Sequence, residues 1–167
     1  MRIEGNIVIE RPAEEVFDFV ADECNEPRFN PQMTQAEKIS PGPIGVGTQF
    51  RAVITGAGEM TIEFTGYDRP RRLASTTHLS GMDITGVLFF EPVPEGTCMK
   101  WVWDMEPRGF YKFLGPVVRW MGERQEMMIW TGLKHVLEAR ERTSPQAATS
   151  ADEGVRAAVS NRRPGLR

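Results

Sequence analysis

Apolar residues recur at alternate positions through most of the first hundred residues, then switch to helical spacing for the next thirty or so. Ile3, Gly5, Ile7 and Ile9 alternate with Glu4, Asn6, Val8 and Glu10, which predicts a first strand. Pro12 suits the first turn of a helix, where its missing N–H is no loss. Glu14, Glu15 and Asp18 crowd the N-terminal half of that helix, as its dipole favours, and Val16, Phe17 and Val20 form its buried stripe. Asp22 is placed to cap a second, short helix ending before Pro27 or Pro31. From Met33 to Met105 the chain reads as consecutive strands. They are separated by turns at Pro41–Gly47, Gly56–Gly58, Asp68–Arg71, Ser80-Gly81 and Pro92–Gly96. Short strands joined by hairpins imply an antiparallel, strongly curved sheet, and two early helices with one late helix make the domain α+β.

The last strand, Gly96 to Met105, places Thr97, Met99, Trp101, Trp103 and Met105 on one face. Phe50, Ala52 and Ile54 share a face in one middle strand, and Met60, Ile62 and Phe64 in the next. After Glu106-Pro107-Arg108-Gly109 a helix is predicted from Phe110 to Arg142. Its apolar side carries Leu114, Val117, Val118, Met121, Met128, Ile129, Leu133, Val136 and Leu137. Pro116 falls inside that span and should break or kink the first turn. Gly122 and Gly132 each weaken the helix by about 1 kcal/mol relative to alanine. They are either tolerated or let the helix come close to the sheet or leave room for a ligand. A Trp/Met sheet face under a long helix offers space for an apolar guest, although the same residues fill a solid core equally well.

Composition changes this picture little within residues 1–142, one domain's worth of chain, and more in residues 143–167. Of 167 residues, 40% are hydrophobic and 26% charged, ordinary values for a globular domain. The net charge of −3 argues against a nucleic-acid partner. Residues 143–167 hold few apolar anchors and a small basic excess from Arg156, Arg162, Arg163 and Arg167, so a disordered tail is expected. The N-terminus lacks the apolar core of a signal peptide, and no apolar run reaches the ~20 residues that span a bilayer. A cytoplasmic protein without stable membrane insertion is expected. Cys24 and Cys98 lack metal-type spacing, which favours two free thiols over a single disulfide.

The order strand, two helices, six strands, long helix resembles the helix-grip fold of the START-related (SRPBCC) superfamily, and within it the polyketide cyclase/dehydrase-like branch. The resemblance runs over about residues 1 to 140. It rests on Pro12–Phe17, Asn25–Pro31, Gly45–Phe50, Asp68–Leu73, Gly96-Thr97, Leu133-Lys134 and Leu137-Glu138. It implies a seven-stranded antiparallel sheet gripping the long helix around a cavity. It also implies a hydrophobic small-molecule partner such as a lipid or polyketide, with some relatives acting as cyclases or dehydrases. These are structural motifs, and a fold does not fix a chemistry.

Candidate chemistry is sparse. His78 and His135 are the only histidines, with no His/Cys cluster to suggest a metal. No Gly-x-Ser-x-Gly elbow or phosphate-loop lysine is present, and no cofactor is expected. For a cyclase-type enzyme the polar candidates are Arg51, Tyr67, Ser75, Thr77, His78, Asp83 and Tyr111, with Arg51, Tyr67 and Asp104 expected to point outward. The strand bearing His78 and the one bearing Asp83 leave their faces ambiguous. The leading reading is binding of a hydrophobic small molecule between sheet and helix. The expected contacts are Phe50, Ile62, Phe64, Met99, Trp101, Trp103 and Met105 from strands, and Met121 and Met128 from the helix. An enzyme on the same fold would instead need converging polar side chains, and a protein-interaction module would need a filled interior. The oligomeric state stays open.

Overall fold

The structure, a computed structural model, describes residues 1–107 and 115–143, with side chains for 1–106 and 122–139. Seven strands form one antiparallel sheet: β1 (Arg2–Ile9), β2 (Met33–Lys38), β3 (Gln49–Ile54), β4 (Gly58–Asp68), β5 (Arg72–Leu79), β6 (Met82–Val93) and β7 (Gly96–Pro107). Their spatial order is β1-β7-β6-β5-β4-β3-β2, so only β1 departs from sequence order, pairing with the last strand. Between β1 and β2 lie helix α1 (Ala13–Ala21) and a 3-10 helix (Glu23–Arg28), and the long helix α2 (Gly115–Thr143) follows β7. This is the helix-grip, START-like arrangement expected from the element order. The expected disordered tail from residue 143, and residues 110–114 of the expected helix, lie outside the described residues apart from Thr143, which ends α2.

Local chemistry accounts for the early elements. Pro12 occupies the N-cap of α1, and Val16, Phe17 and Val20 are buried as the stripe predicts. Asp22 caps the 3-10 helix by accepting a hydrogen bond from the Cys24 amide at 3.2 Å. Pro27 lies inside that helix rather than beyond it. Pro116 is the second residue of α2 as described, a first-turn position where proline fits; the turn expected before it lies outside the described residues. Cys24 and Cys98 are both free. Among the described residues no helix is long and apolar enough to cross a membrane.

One strand face differs from expectation for a definite reason. The β4–β5 register shifts between Phe64 and Gly66, so a bulge at this point reverses the alternation beyond it. Tyr67 therefore turns inward, packing edge-on against Phe17 with ring centroids 5.1 Å apart. Arg51 does point outward, paired with Glu37, and Asp104 is exposed.

The interior divides along α2. Its C-terminal half covers a solid core in which Leu133 and Leu137 have no exposed surface, alongside Phe17, Phe90 and Met99. Polar ties hold this end in place. The Lys134 ammonium donates to the Val8 carbonyl at 2.7 Å, and the Glu138 carboxylate accepts from the Glu10 amide at 2.9 Å. The two helix glycines behave differently. A Cβ at Gly132 would overlap the backbone carbonyl of Phe29, whereas at Gly122 it would meet only the tip of the Ile3 side chain. Gly132 thus permits close approach of α2 to the chain leaving the 3-10 helix. Gly132→Ala is expected to destabilise by about 1–3 kcal/mol despite alanine's better helix propensity. Gly122→Ala should be near neutral or stabilising, because a side-chain tip can move. Urea melts of the two variants check this contrast, and equal effects would contradict it.

Candidate functional site

Under the N-terminal half of α2 the sheet and helix separate around a cavity of about 440 Å³. The sheet side is mainly apolar, with Met60, Ile62, Leu73, Ile84, Leu88 and Met105 at the wall. Ser75 and Thr77 add two hydroxyls from β5. The helical side is different in kind. Glu23 and Glu26 come from the 3-10 helix, and Glu126 from α2. None of the described lining residues is Lys, Arg or His.

Glu126 is the best-defined of these groups. Its Oε2 accepts hydrogen bonds from both the Trp103 indole at 2.8 Å and the Trp130 indole at 2.9 Å. The Trp103 bond ties the sheet to the helix, and the Trp130 bond, made within α2, shares the same carboxylate oxygen. Among the described residues Oε1 accepts none. Burial pushes the Glu126 carboxyl up to about 7, the nearby Glu26 charge adding to the rise and the two indole bonds opposing it. Glu23 is raised well above the ordinary carboxyl range, first by burial and then by Glu26, with which it shares a hydrogen bond. Side chains three apart in a 3-10 helix eclipse one another, which is why Glu23 and Glu26 meet. Asn30, itself buried, donates to Glu26 Oε1 at 2.7 Å, and Gln125 donates to Gln32 Oε1 at 2.7 Å. Among the described residues no group of His, Cys, Asp or Glu is arranged to hold a metal ion.

Glycines on the neighbouring strands set the tryptophans in place. Gly86 lies opposite Trp103 and Gly5 opposite Trp101 in the sheet register. A Cβ on either glycine would overlap the facing indole ring. The Trp103 ring can therefore lie over Gly86 while its N–H reaches Glu126, so Gly86 positions part of the cavity wall without lining it.

The residues expected from sequence fall into separate places. Ile62, Trp103 and Met105 line the cavity. Phe50, Phe64, Met99 and Trp101 point inward but belong to the packed core, Phe50 and Phe64 with ring centroids 5.5 Å apart. The Trp101 indole N–H is buried without a hydrogen-bond partner among the described residues. Met128 is half exposed and borders a shallow outer groove with Met127 and His135. The side chain of Met121 lies outside the described residues, as does Tyr111. Of the polar candidates, Ser75 and Thr77 line the cavity. His78 and Asp83 are cross-strand partners on the outer face, with His78 Nδ1 2.9 Å from an Asp83 carboxylate oxygen. Sequence reasoning missed Glu23, Glu26 and Glu126. A signal for Glu126 existed, since helical spacing sets it on the same stripe as Gly122, Ile129, Leu133 and Leu137.

The fold agrees with what the chain resembles. Over residues 1–138 it matches the family described as polyketide cyclase / dehydrase and lipid transport. The chain belongs to that family. No curated protein matches its sequence. Among solved structures it is similar to a START superfamily protein from Mycobacterium smegmatis, with 14% identity and a TM-score of 0.71, covering 83% of this chain and 97% of that one. It is also similar to the Zhui aromatase/cyclase from Streptomyces sp. R1128, with 17% identity and a TM-score of 0.71, covering 87% and 98%. The protein TTHA0849 from Thermus thermophilus aligns at 19% identity and a TM-score of 0.69, covering 83% and 99%. At such identities these likenesses speak to the fold.

Proposed function

We propose that this family member binds a hydrophobic small molecule, such as a lipid or a polyketide, in the cavity between the sheet and α2. The observation that carries this reading is the cavity itself, about 440 Å³ with an apolar sheet side and a few polar groups gathered on the helical side. That is the usual form of a small-molecule site. Membership of a family described by lipid transport and polyketide chemistry supports the same reading. A protein-interaction module would need a filled interior, which the cavity counts against.

Trp103 and Trp130 both line the cavity, so an apolar ligand should shift or quench their emission. Thr77→Phe would fill part of the space. It is expected to weaken binding of a fluorescent apolar probe by about tenfold while leaving the melting temperature unchanged or raised. No spectral change across a hydrophobic library, together with unaltered probe affinity in Thr77→Phe, would sink the proposal.

A second reading, catalysis of the cyclase/dehydrase type, is favoured by one observation. Glu126 has a carboxyl pushed up to about 7, with Oε2 occupied by two indoles and Oε1 unpartnered among the described residues. A group that gains and loses a proton near neutrality suits general acid–base work. Mass spectrometry of the bound molecule before and after incubation separates the two readings: carriage returns it unchanged, turnover does not.

A further inference from the structure

We propose that this cavity selects apolar molecules bearing a protonated amine and rejects those ending in a carboxylate or phosphate. The inference rests on the small-molecule reading above and adds the charge class of the ligand. Its basis is the distribution of charge around a mainly apolar cavity. Three carboxyl groups line the cavity, Glu23 and Glu26 on one side and Glu126 from α2, with no Lys, Arg or His among the described lining residues. The side-chain amides on the helical side are partly committed, and the Ser75 and Thr77 hydroxyls are neutral polar groups on the sheet side. Asn30 Nδ2 donates to Glu26 and its Oδ1 accepts from the Gln32 amide at 3.1 Å, while the Gln32 and Gln125 side chains bond each other. Glu126 is fixed through Oε2 by two indole N–H groups, and its Oε1 takes no hydrogen bond from the described residues.

A carboxylate oxygen held rigidly beside an apolar cavity lacks what it most needs there, a cation or a donor. A ligand ammonium supplies both at once, because it carries the compensating charge and three N–H donors. Its alkyl portion would then lie against Met60, Ile84, Leu88 and Met105. A ligand carboxylate or phosphate would instead bring like charge beside whichever of these carboxyl groups is ionised, with no basic residue among the described lining to offset it. A neutral alcohol or ketone falls between, since it can donate to or accept from the carboxyl groups but leaves the buried charge uncompensated. The two indoles sharpen the preference. They hold Oε2 without neutralising it, so the carboxylate stays aimed while remaining available for an ion pair.

Decylamine, decanol and decanoate share one chain and differ only in the charge of the head, so isothermal titration of the full chain with each at neutral pH tests the proposal. Decylamine is expected to bind at least about tenfold more tightly than decanoate, with decanol between. Its binding should release protons, read as a dependence of the heat on the ionisation enthalpy of the buffer. Glu126→Gln keeps the oxygen that the indoles need and should weaken decylamine about tenfold or more, while changing decanol by less than about threefold. Glu26→Gln serves as the second variant where Glu126→Gln melts early. Decanoate binding as tightly as decylamine, or both variants retaining full amine affinity, overturns the charge selection and leaves carriage standing. If none of the three binds, the small-molecule reading itself falls and takes this inference with it.

Discussion

Leu133→Ala is expected to lower the stability of the domain by about 2–5 kcal/mol. Leu133 has no exposed surface and lies where α2 crosses the solid half of the interior. Removing its side chain there leaves a void bounded by residues already close-packed, so the neighbours can relax only partly. The site is also anchored on both flanks, by the Phe29 carbonyl against Gly132 and by the Lys134 bond to Val8, which limits collapse of the helix into the gap. Urea denaturation with an unchanged slope is the measurement. A loss below about 0.5 kcal/mol would mean that α2 presents another face to the sheet. Affinity for an apolar probe should stay close to wild type, because Leu133 does not line the cavity.

The architecture is legible in the sequence because its signals are periodic. All seven strands, the capped short helix after Asp22 and the long final helix follow from alternation, turn residues and helical spacing. Two features carry no such signal. The bulge after Phe64 is marked only by Gly66 inside the strand, yet it reverses the faces beyond it and brings Tyr67 inside. Pro116 reads as a kink only if the helix starts at Phe110; with α2 described from Gly115, the same proline suits its position.

The site is legible only in part, because alternation reports which face a residue occupies and not where along the strand the interior stays open. On β7, Met99, Trp101, Trp103 and Met105 all point inward, but the first two meet solid core and the last two meet the cavity. Hydrophobicity alone groups Met128 with the apolar side of α2, although it lies about 160° round the helix from Glu126. Glu126 occupies the centre of the buried stripe and escapes notice because it is charged. A carboxyl group on an otherwise apolar helix face is itself a pointer to a site, since burial without a partner is costly. The glycines opposite Trp101 and Trp103 carry a similar message, legible only once the strand register is known.

Stability is expected to fall as pH rises from about 4.5 to about 7, and Glu126→Gln should remove most of that slope. In the unfolded chain the Glu126 carboxyl titrates near its ordinary value of 4.5, and in the folded protein burial pushes it up to about 7. Between these values the folded state keeps a proton that the unfolded chain has released, so raising the pH favours unfolding. Below about 4.5 both states are protonated and nothing is lost. Above about 7 both are ionised and the loss is complete, up to about 3 kcal/mol at roughly 1.4 kcal/mol per unit. Glu23, raised by burial and by Glu26, acts in the same direction. Asp18 has the opposite sign, because its hydrogen bond to Arg69 lowers it, but that pair is about half exposed, where ion pairs contribute little. Urea melts of wild type and Glu126→Gln across this range should converge near pH 4.5 and separate above pH 7, with the variant the more stable. Glutamine preserves an acceptor for both indoles, so the separation isolates the charge from the hydrogen bonds. Parallel pH profiles in the two proteins would show that the carboxyl does not carry this strain. A cationic ligand should then act as the pH does in reverse, restoring at neutrality the stability that ionised Glu126 takes away.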